Sequence, residues 1–106
     1  MDSPGHDGEV VTGMIGGGAQ VIVFTSGRGT PTGFPFVPVV KVTGNSRTFA
    51  KMQENIDYNA GKIIGGEEDI PAAGQDLFDM LIKTANGKMT KAETLGHAEL
   101  FCITRK

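Results

Sequence analysis

The sequence predicts an α/β fold in which a small, mostly parallel sheet is flanked by helices in a Rossmann-like layered arrangement. Two apolar runs rich in β-branched residues, 20–25 and 36–43, are typical of buried strands. Segments with apolar residues at helical spacing alternate with these runs. The chain has 16 glycines in 106 residues, about twice the usual share, and many of them fall between the segments. Strands that alternate with helices favour parallel pairing.

The first 43 residues are predicted to form a helix, a strand, a loop and a second strand. Residues 9–19 have apolar positions at helical spacing and end in a run of glycines, which predicts a short helix. Residues 20–25 predict a strand buried on both faces. Residues 26–35, rich in Gly, Pro, Ser and Thr, predict a loop. In the strand predicted at 36–43, Pro38 indicates an edge position or a bulge at its start.

A second helix and a third strand are predicted next. Asn45 or Ser46 can cap a helix that runs to about residue 55, because both side chains accept hydrogen bonds from free backbone N–H groups. A polar elbow follows at residues 57–61. Residues 62–64, Lys-Ile-Ile, are interpreted as a short third strand.

The clearest predicted element is an amphipathic helix over residues 70–85. Its apolar stripe consists of Ile70, Leu77, Phe78, Leu81, Ile82 and Ala85. Gly87 stands where a helix C-cap glycine is expected. Residues 100–104 predict a last strand. The sequence has neither an internal repeat nor a linker, so residues 1–106 are expected to form one domain.

Composition excludes several classes of function. A net charge of -2 at pH 7 argues against binding to nucleic acids or acidic membranes, because both require a basic surface. One cysteine excludes a disulfide framework and fits a reducing compartment. No apolar run approaches the roughly 20 residues that cross a bilayer. We therefore expect a soluble, cytoplasmic protein.

The loop after the first predicted strand is a candidate anion-binding site. Thr25, Ser26 and Arg28 are interleaved with glycines there. In open α/β sheets ligands collect at the carboxyl ends of strands, and arginine matches a carboxylate or phosphate with two parallel donors. A plain surface loop with a solvated arginine explains the same residues equally well.

Two other polar positions are candidates for catalysis. Lys41 interrupts an apolar strand, where it can act as an anion ligand or as a base with a lowered pKa. The alternative is an edge lysine that discourages strand pairing. Asp57 and Asn59 lie in the elbow, where they can bind substrate or metal, although Asx turns explain them almost as well.

A metal site within this chain is not expected. The two histidines, His6 and His97, lie near opposite ends of the chain, and Cys102 falls in a predicted strand. These three residues lack the spacing of a metal-binding motif.

Taken together, several short segments resemble the C-terminal region of the altronate/galactarate dehydratase family. The resemblance extends from residue 1 to about residue 100. The segments that carry it are MDSPG (1–5), TG (12–13), GGA (17–19), FTSGRG (24–29), KVTGN (41–45) and DYNAG (57–61).

The resemblance implies a lyase that removes water from altronate or galactarate to give a 2-keto-3-deoxy acid. It also implies a divalent metal, typically iron, in the full-length enzyme, and a related branch removes sulfite from sulfolactate. On this basis Lys41 and Asp57 are assigned to catalysis. The residues assigned to substrate binding are Thr25, Ser26, Arg28, Asn45 and Asn59.

Two features leave the exact activity open. The altronate branch tends to have cysteines where this chain has Phe34 and Ala60, which favours the galactarate-like or sulfolactate-like branches. The family's longer proteins also contain further domains, so we expect this chain to be catalytically incomplete alone and to work with those domains or as a homodimer. A non-catalytic anion-binding module and a dimerisation platform remain alternatives.

Overall fold

The computed structural model describes residues 5–98 of the chain. Its centre is a three-stranded parallel sheet in the order β1 (Ile22–Thr25), β2 (Val39–Thr43) and β3 (Tyr58–Asn59). The sheet and its flanking helices confirm the predicted α/β class.

Five helices accompany the sheet between residues 5 and 98. They are α1 (Asp7–Gly16), α2 (Ser46–Lys51), α3 (Gly61–Ile64), α4 (Ile70–Ala85) and α5 (Lys91–Leu95). The crossover from β2 to β3 contains α2, whereas the one from β1 to β2 is a loop. None of the helices described is both long and apolar enough to cross a membrane.

Local capping explains where α2 and α4 begin and where α4 ends. The Asn45 side chain accepts from the N–H groups of Arg47 and Thr48, which confirms the predicted cap of α2. Asp69 caps α4 by accepting from Ala72 N–H. Gly87 follows the end of α4 with a φ of 108°, the left-handed conformation that glycine adopts without strain.

The main apolar core lies between α1 and one face of β1 and β2. Its buried members are Val11, Ile22, Phe34 and Val39. Ile15, Ala19, Phe24 and Val37 pack around them while partly buried. Burial of each large apolar side chain stabilises the fold by about 1.5–3 kcal/mol, and Phe34 brings the loop between β1 and β2 into this core.

The first two strands differ from prediction in burial and extent. β1 was expected to be buried on both faces, but Val23, which points to the opposite face from buried Ile22, is 41% exposed. The second strand begins at Val39 rather than at residue 36, and Phe36 is exposed. Pro38 directly precedes this strand, as its missing N–H requires, yet β2 is the central strand and not an edge.

The prediction of a third strand at residues 62–64 is wrong. Those residues belong to α3, and the strand is Tyr58–Asn59, which pairs with Val42 and Thr43. The chain turns into a helix at once because the Asn59 side chain accepts from Gly61 N–H at 2.9 Å. The second helix is also shorter than predicted, ending at Lys51. The strand predicted at residues 100–104 lies outside the described part of the chain.

Candidate functional site

The carboxyl ends of the three strands form one edge of the sheet, and the predicted substrate-binding residues gather there. Thr25 and Asn59 are the last residues of β1 and β3. Ser26 and Arg28 follow β1 directly, and Asn45 follows β2. Parallel strands end at the same side, so the topology brings these five residues to a common edge, which we call the carboxyl edge.

An open groove of about 520 Å³ runs along part of this edge. Its size is within the range that accepts a small ligand. The groove is lined by Gly44, Asn45, Ser46, Arg47, Gly61, Ile64 and Gly65.

The loop that carries Arg28 is anchored immediately on both sides of it. The Ser26 hydroxyl accepts from Gly29 N–H at 3.0 Å. The Thr48 hydroxyl donates to the Gly27 carbonyl at 2.8 Å, which ties the loop to α2. These two bonds give the backbone around Arg28 a defined course although the loop has no regular secondary structure.

Two features of the structure favour glycine at position 29. Its φ is 84°, a conformation that other residues adopt at a cost. A Cβ atom there would also lie 2.5 Å from the Met52 sulfur. The positive φ is the stronger of the two features, because the Met52 side chain is flexible and its sulfur can move away from an added Cβ.

The Arg28 side chain is exposed and has no hydrogen bond or ion pair within residues 5–98. Thr25 is also exposed at the end of its strand. A guanidinium on an anchored backbone and without a partner among the described residues is suited to bind a carboxylate or phosphate with two parallel hydrogen bonds.

The two asparagines of the carboxyl edge each hold the start of a helix. Asn45 Oδ1 accepts from Arg47 N–H at 3.0 Å. Asn59 Oδ1 accepts from Gly61 N–H, and its Nδ2 donates to the Ser46 hydroxyl at 3.3 Å. The Asn45 Nδ2 donor has no partner in the described part of the chain and is exposed at the groove. Asn45 thus combines a capping role with a donor available to a ligand.

Lys41 lies away from the carboxyl edge, in the middle of the central strand β2. It is 1% exposed on the central strand, so the alternative of an edge lysine is wrong. Its ammonium donates to the Pro31 carbonyl at 3.2 Å, in the loop that carries Arg28. A buried ammonium needs such acceptors, because desolvation without them is costly. Its assignment to catalysis stays a prediction.

Asp57 is surrounded by backbone donors. Its Oδ2 accepts from Lys41 N–H at 2.8 Å, and its Oδ1 accepts from Lys91 N–H at 2.9 Å. Its own N–H donates to the Lys41 carbonyl. Asp57 therefore joins β2, the entry to β3 and the first turn of α5, and its catalytic role also stays a prediction.

Sequence reasoning missed α5 and therefore also the positions of Lys91 and His97, at the start of this helix and just after its end. The helix begins with a capping box in which the Thr90 side chain accepts from Glu93 N–H and the Glu93 carboxylate accepts from Thr90 N–H. The spacing of Thr90 and Glu93 could have revealed this start. The positions of Lys91 and His97 depend on contacts with distant segments, which no local pattern indicates.

The described residues do not offer a metal-binding donor set. No group of three or more His, Cys, Asp or Glu side chains within residues 5–98 is arranged to hold a metal ion. Asp57, which the sequence analysis names as a possible ligand of substrate or metal, already accepts backbone N–H groups at both oxygens. A metal site built from these residues alone does not fit this structure.

Comparisons with known proteins identify relatives with lyase activity. The chain is 40% identical over 105 residues to the (2R)-sulfolactate sulfo-lyase subunit beta of Chromohalobacter salexigens, covering 99% of this chain and 27% of that protein. It is 37% identical over 100 residues to the altronate dehydratase of Escherichia coli, covering 94% of this chain and 20% of that protein. The galactarate dehydratase (L-threo-forming) of Escherichia coli is 38% identical over 86 residues, 81% of this chain and 16% of that protein.

The chain therefore spans about a quarter or less of the length of these relatives. The sequence profile of the family described as D-galactarate/Altronate dehydratase, C-terminal, matches residues 1–106. With the whole chain matched and three relatives above 30% identity, this protein belongs to the D-galactarate/altronate dehydratase family.

Proposed function

We propose that this chain supplies the carboxylate-binding edge of a sugar-acid dehydratase of the altronate or galactarate type. Such an enzyme eliminates water from an aldonate or aldarate to give a 2-keto-3-deoxy acid. The observation that carries the proposal is Arg28, an exposed guanidinium without a partner in residues 5–98, on a loop anchored at Gly27 and Gly29.

The chemistry of the elimination requires donors of this kind. The proton next to a carboxylate is weakly acidic, and its removal leaves an enediolate whose negative charge must be stabilised. Arg28 would bind the carboxylate with two parallel hydrogen bonds, and Asn45 Nδ2 and the Thr25 hydroxyl would add neutral donors from neighbouring strand ends. The backbone that carries Arg28 is anchored at Gly27 and Gly29, which would limit the reorganisation that substrate binding requires.

In this proposal Lys41 and Asp57 position the site rather than transfer the proton. Their charged groups already bind backbone atoms, the Pro31 carbonyl for Lys41 and the N–H groups of Lys41 and Lys91 for Asp57. The base and the divalent metal, which we expect to be iron, would be held by other domains of the full-length enzyme. Association with those domains, or as a homodimer, and a cytoplasmic location remain predictions.

A sulfo-lyase function is the second candidate. It is favoured by the 40% identity to the sulfolactate sulfo-lyase subunit over nearly the whole chain. Loss of sulfite and loss of water are both β-eliminations next to a carboxylate, so Arg28 would have the same task in either reaction. The two candidates differ in the leaving group and not in the carboxylate-binding edge.

The test is calorimetric titration of the chain with galactarate, altronate, sulfolactate and inorganic phosphate. We expect one of the three organic acids to bind best, and Arg28→Ala to weaken that binding at least tenfold, about 1.4 kcal/mol. Lys83→Ala, which removes an exposed cation from α4, is the matched control and should leave binding unchanged.

The outcome separates the candidates. Preference for galactarate or altronate supports a dehydratase, and preference for sulfolactate supports a sulfo-lyase. Equal effects of Arg28→Ala and Lys83→Ala would refute a carboxylate-binding role for Arg28. Phosphate binding as tight as that of the organic acids would indicate a general anion-binding module instead.

A further inference from the structure

Two side chains from distant parts of the chain converge on the carbonyl of Pro31. Lys41 Nζ, from the central strand, lies 3.2 Å from this oxygen. His97 Nδ1, just after α5, lies 2.6 Å from it. A carbonyl oxygen only accepts hydrogen bonds, so the His97 ring carries a proton on Nδ1 in this arrangement. The later part of the Arg28 loop is therefore held from two directions.

A second contact joins the same loop to the same segment. A Cβ atom on Gly33 would lie 2.7 Å from the His97 carbonyl and 2.9 Å from Ala92 Cβ. Gly33 is buried there, two residues after Pro31. The backbone of the loop thus packs directly on the end of α5, independently of the hydrogen bond from the His97 ring.

The other end of α5 is tied to the sheet. Asp57 Oδ1 accepts from Lys91 N–H, and Lys91 Nζ donates to the Ile56 carbonyl at 2.8 Å. The helix therefore connects the entry to β3 with the loop that leaves β1.

We propose that His97 is a positioning residue for Arg28. By holding the Pro31 carbonyl together with Lys41, His97 fixes the later part of the loop, while Ser26 and Thr48 fix the part around Gly27 and Gly29. The effect on the loop stands on geometry alone. The effect on ligand affinity rests on the proposed function of Arg28.

The first measurement follows loop order without any ligand. Backbone ¹⁵N relaxation of the chain gives order parameters for residues 27–33, apart from Pro31, which has no N–H. We expect values typical of rigid backbone, about 0.85, to fall toward about 0.6 in His97→Ala. His97→Asn places an amide donor close to the position of Nδ1 and should restore the order.

The control separates a local effect from general loosening of α5. Thr90→Ala removes the N-cap of α5 but leaves the His97 ring and the Pro31 carbonyl in place. We expect Thr90→Ala to lower the thermal midpoint while keeping the order parameters of residues 27–33. Loss of loop order in Thr90→Ala equal to that in His97→Ala would overturn a specific role for the ring.

The second measurement uses galactarate as the probe, with sulfolactate in parallel. We expect His97→Ala to weaken binding of the preferred acid about fivefold to tenfold, and His97→Asn to recover most of it.

If His97→Ala leaves loop order unchanged, the proposal is overturned whatever the ligands do. If the loop loosens but affinity is unchanged, the link from His97 to Arg28 is refuted. If the loop loosens and neither acid binds even the unaltered chain, the effect on the loop stands and the proposed function fails.

Discussion

Asp57 and Lys91 are linked by two hydrogen bonds between the side chain of one and the backbone at or next to the other, although they are 34 residues apart in the sequence. The Asp57 carboxylate accepts from Lys91 N–H at 2.9 Å, and the Lys91 ammonium donates to the carbonyl of Ile56, next to Asp57. The ammonium also donates to the Gln53 carbonyl and lies 5.4 Å from the centre of the Phe49 ring. This pair closes the turn between α2 and β3 against α5.

Removing the Asp57 carboxylate should destabilise the chain. Asp57→Ala leaves the N–H groups of Lys41 and Lys91 without their acceptor, and we expect a loss of about 2 kcal/mol or more in the free energy of unfolding. Asp57→Asn keeps one acceptor and should lose about half as much. Urea unfolding followed by circular dichroism measures both. Glu54→Gln changes an exposed carboxylate nearby and should stay within about 0.5 kcal/mol of the unaltered chain.

Gly29 and Gly27 lie in one loop but differ in backbone conformation and in the space around them, so their alanine variants can be compared directly. Gly29→Ala must accommodate both a φ of 84° and a Cβ close to Met52, so we expect a loss of about 1–3 kcal/mol and weaker anion binding. A Cβ on Gly27 meets nothing within 4 Å, so Gly27→Ala should change stability by less than about 0.5 kcal/mol. Equal losses for the two variants in urea unfolding would contradict the close packing of the loop on the turn after α2.

Arg28→Lys tests whether the geometry of the guanidinium matters beyond its charge. Lysine keeps the positive charge but cannot form two parallel hydrogen bonds with one carboxylate. We expect affinity for the preferred acid to fall about threefold to tenfold, with the free energy of unfolding unchanged within about 0.5 kcal/mol. Calorimetry and urea unfolding measure the two quantities. An affinity as high as that of the unaltered chain would reduce the role of Arg28 to a general positive charge.

Glu68 is expected to titrate at a higher pH than an ordinary glutamate. A hydrogen bond with Asp76, burial and the nearby charge of Asp76 raise its pKa above the usual 4.5. A carboxyl group with a raised pKa stabilises the fold most below pH 4.5, and this contribution is lost as the pH rises through the pKa of the folded state. Asp76→Asn should lower the pKa of Glu68 and reduce that loss.

Carbon-detected NMR titration of the Glu68 carboxyl measures this shift. Asp79 lies on α4, as Asp76 does, so Asp79→Asn is the control and should leave the pKa of Glu68 unchanged. An unchanged Glu68 titration in Asp76→Asn would show that burial or another neighbour causes the shift.

Local signals were sufficient for the elements whose stabilising contacts lie close in sequence. The cap of α2 at Asn45, one of two predicted candidates, the extent of α4 and the left-handed Gly87 agree with prediction, because each depends on residues close in sequence. The strand at Tyr58–Asn59 was not, since two residues are too few to show a period of two. Residues 62–64 then looked like a strand because their short apolar run has no competing periodicity.

By itself, the sequence determined the fold class, the family and the position of Thr25, Ser26, Arg28 and Asn45 at the ends of the first two strands, since these follow from composition, local spacing and ordered motifs. Only the tertiary structure decided that Lys41 lies on the central strand and that Asp57 binds backbone N–H groups from two elements. It also decided that His97 reaches the Pro31 carbonyl across 66 residues of sequence. Strand order and such pairings arise from packing between distant segments, and local periodicity carries no information about which segments meet.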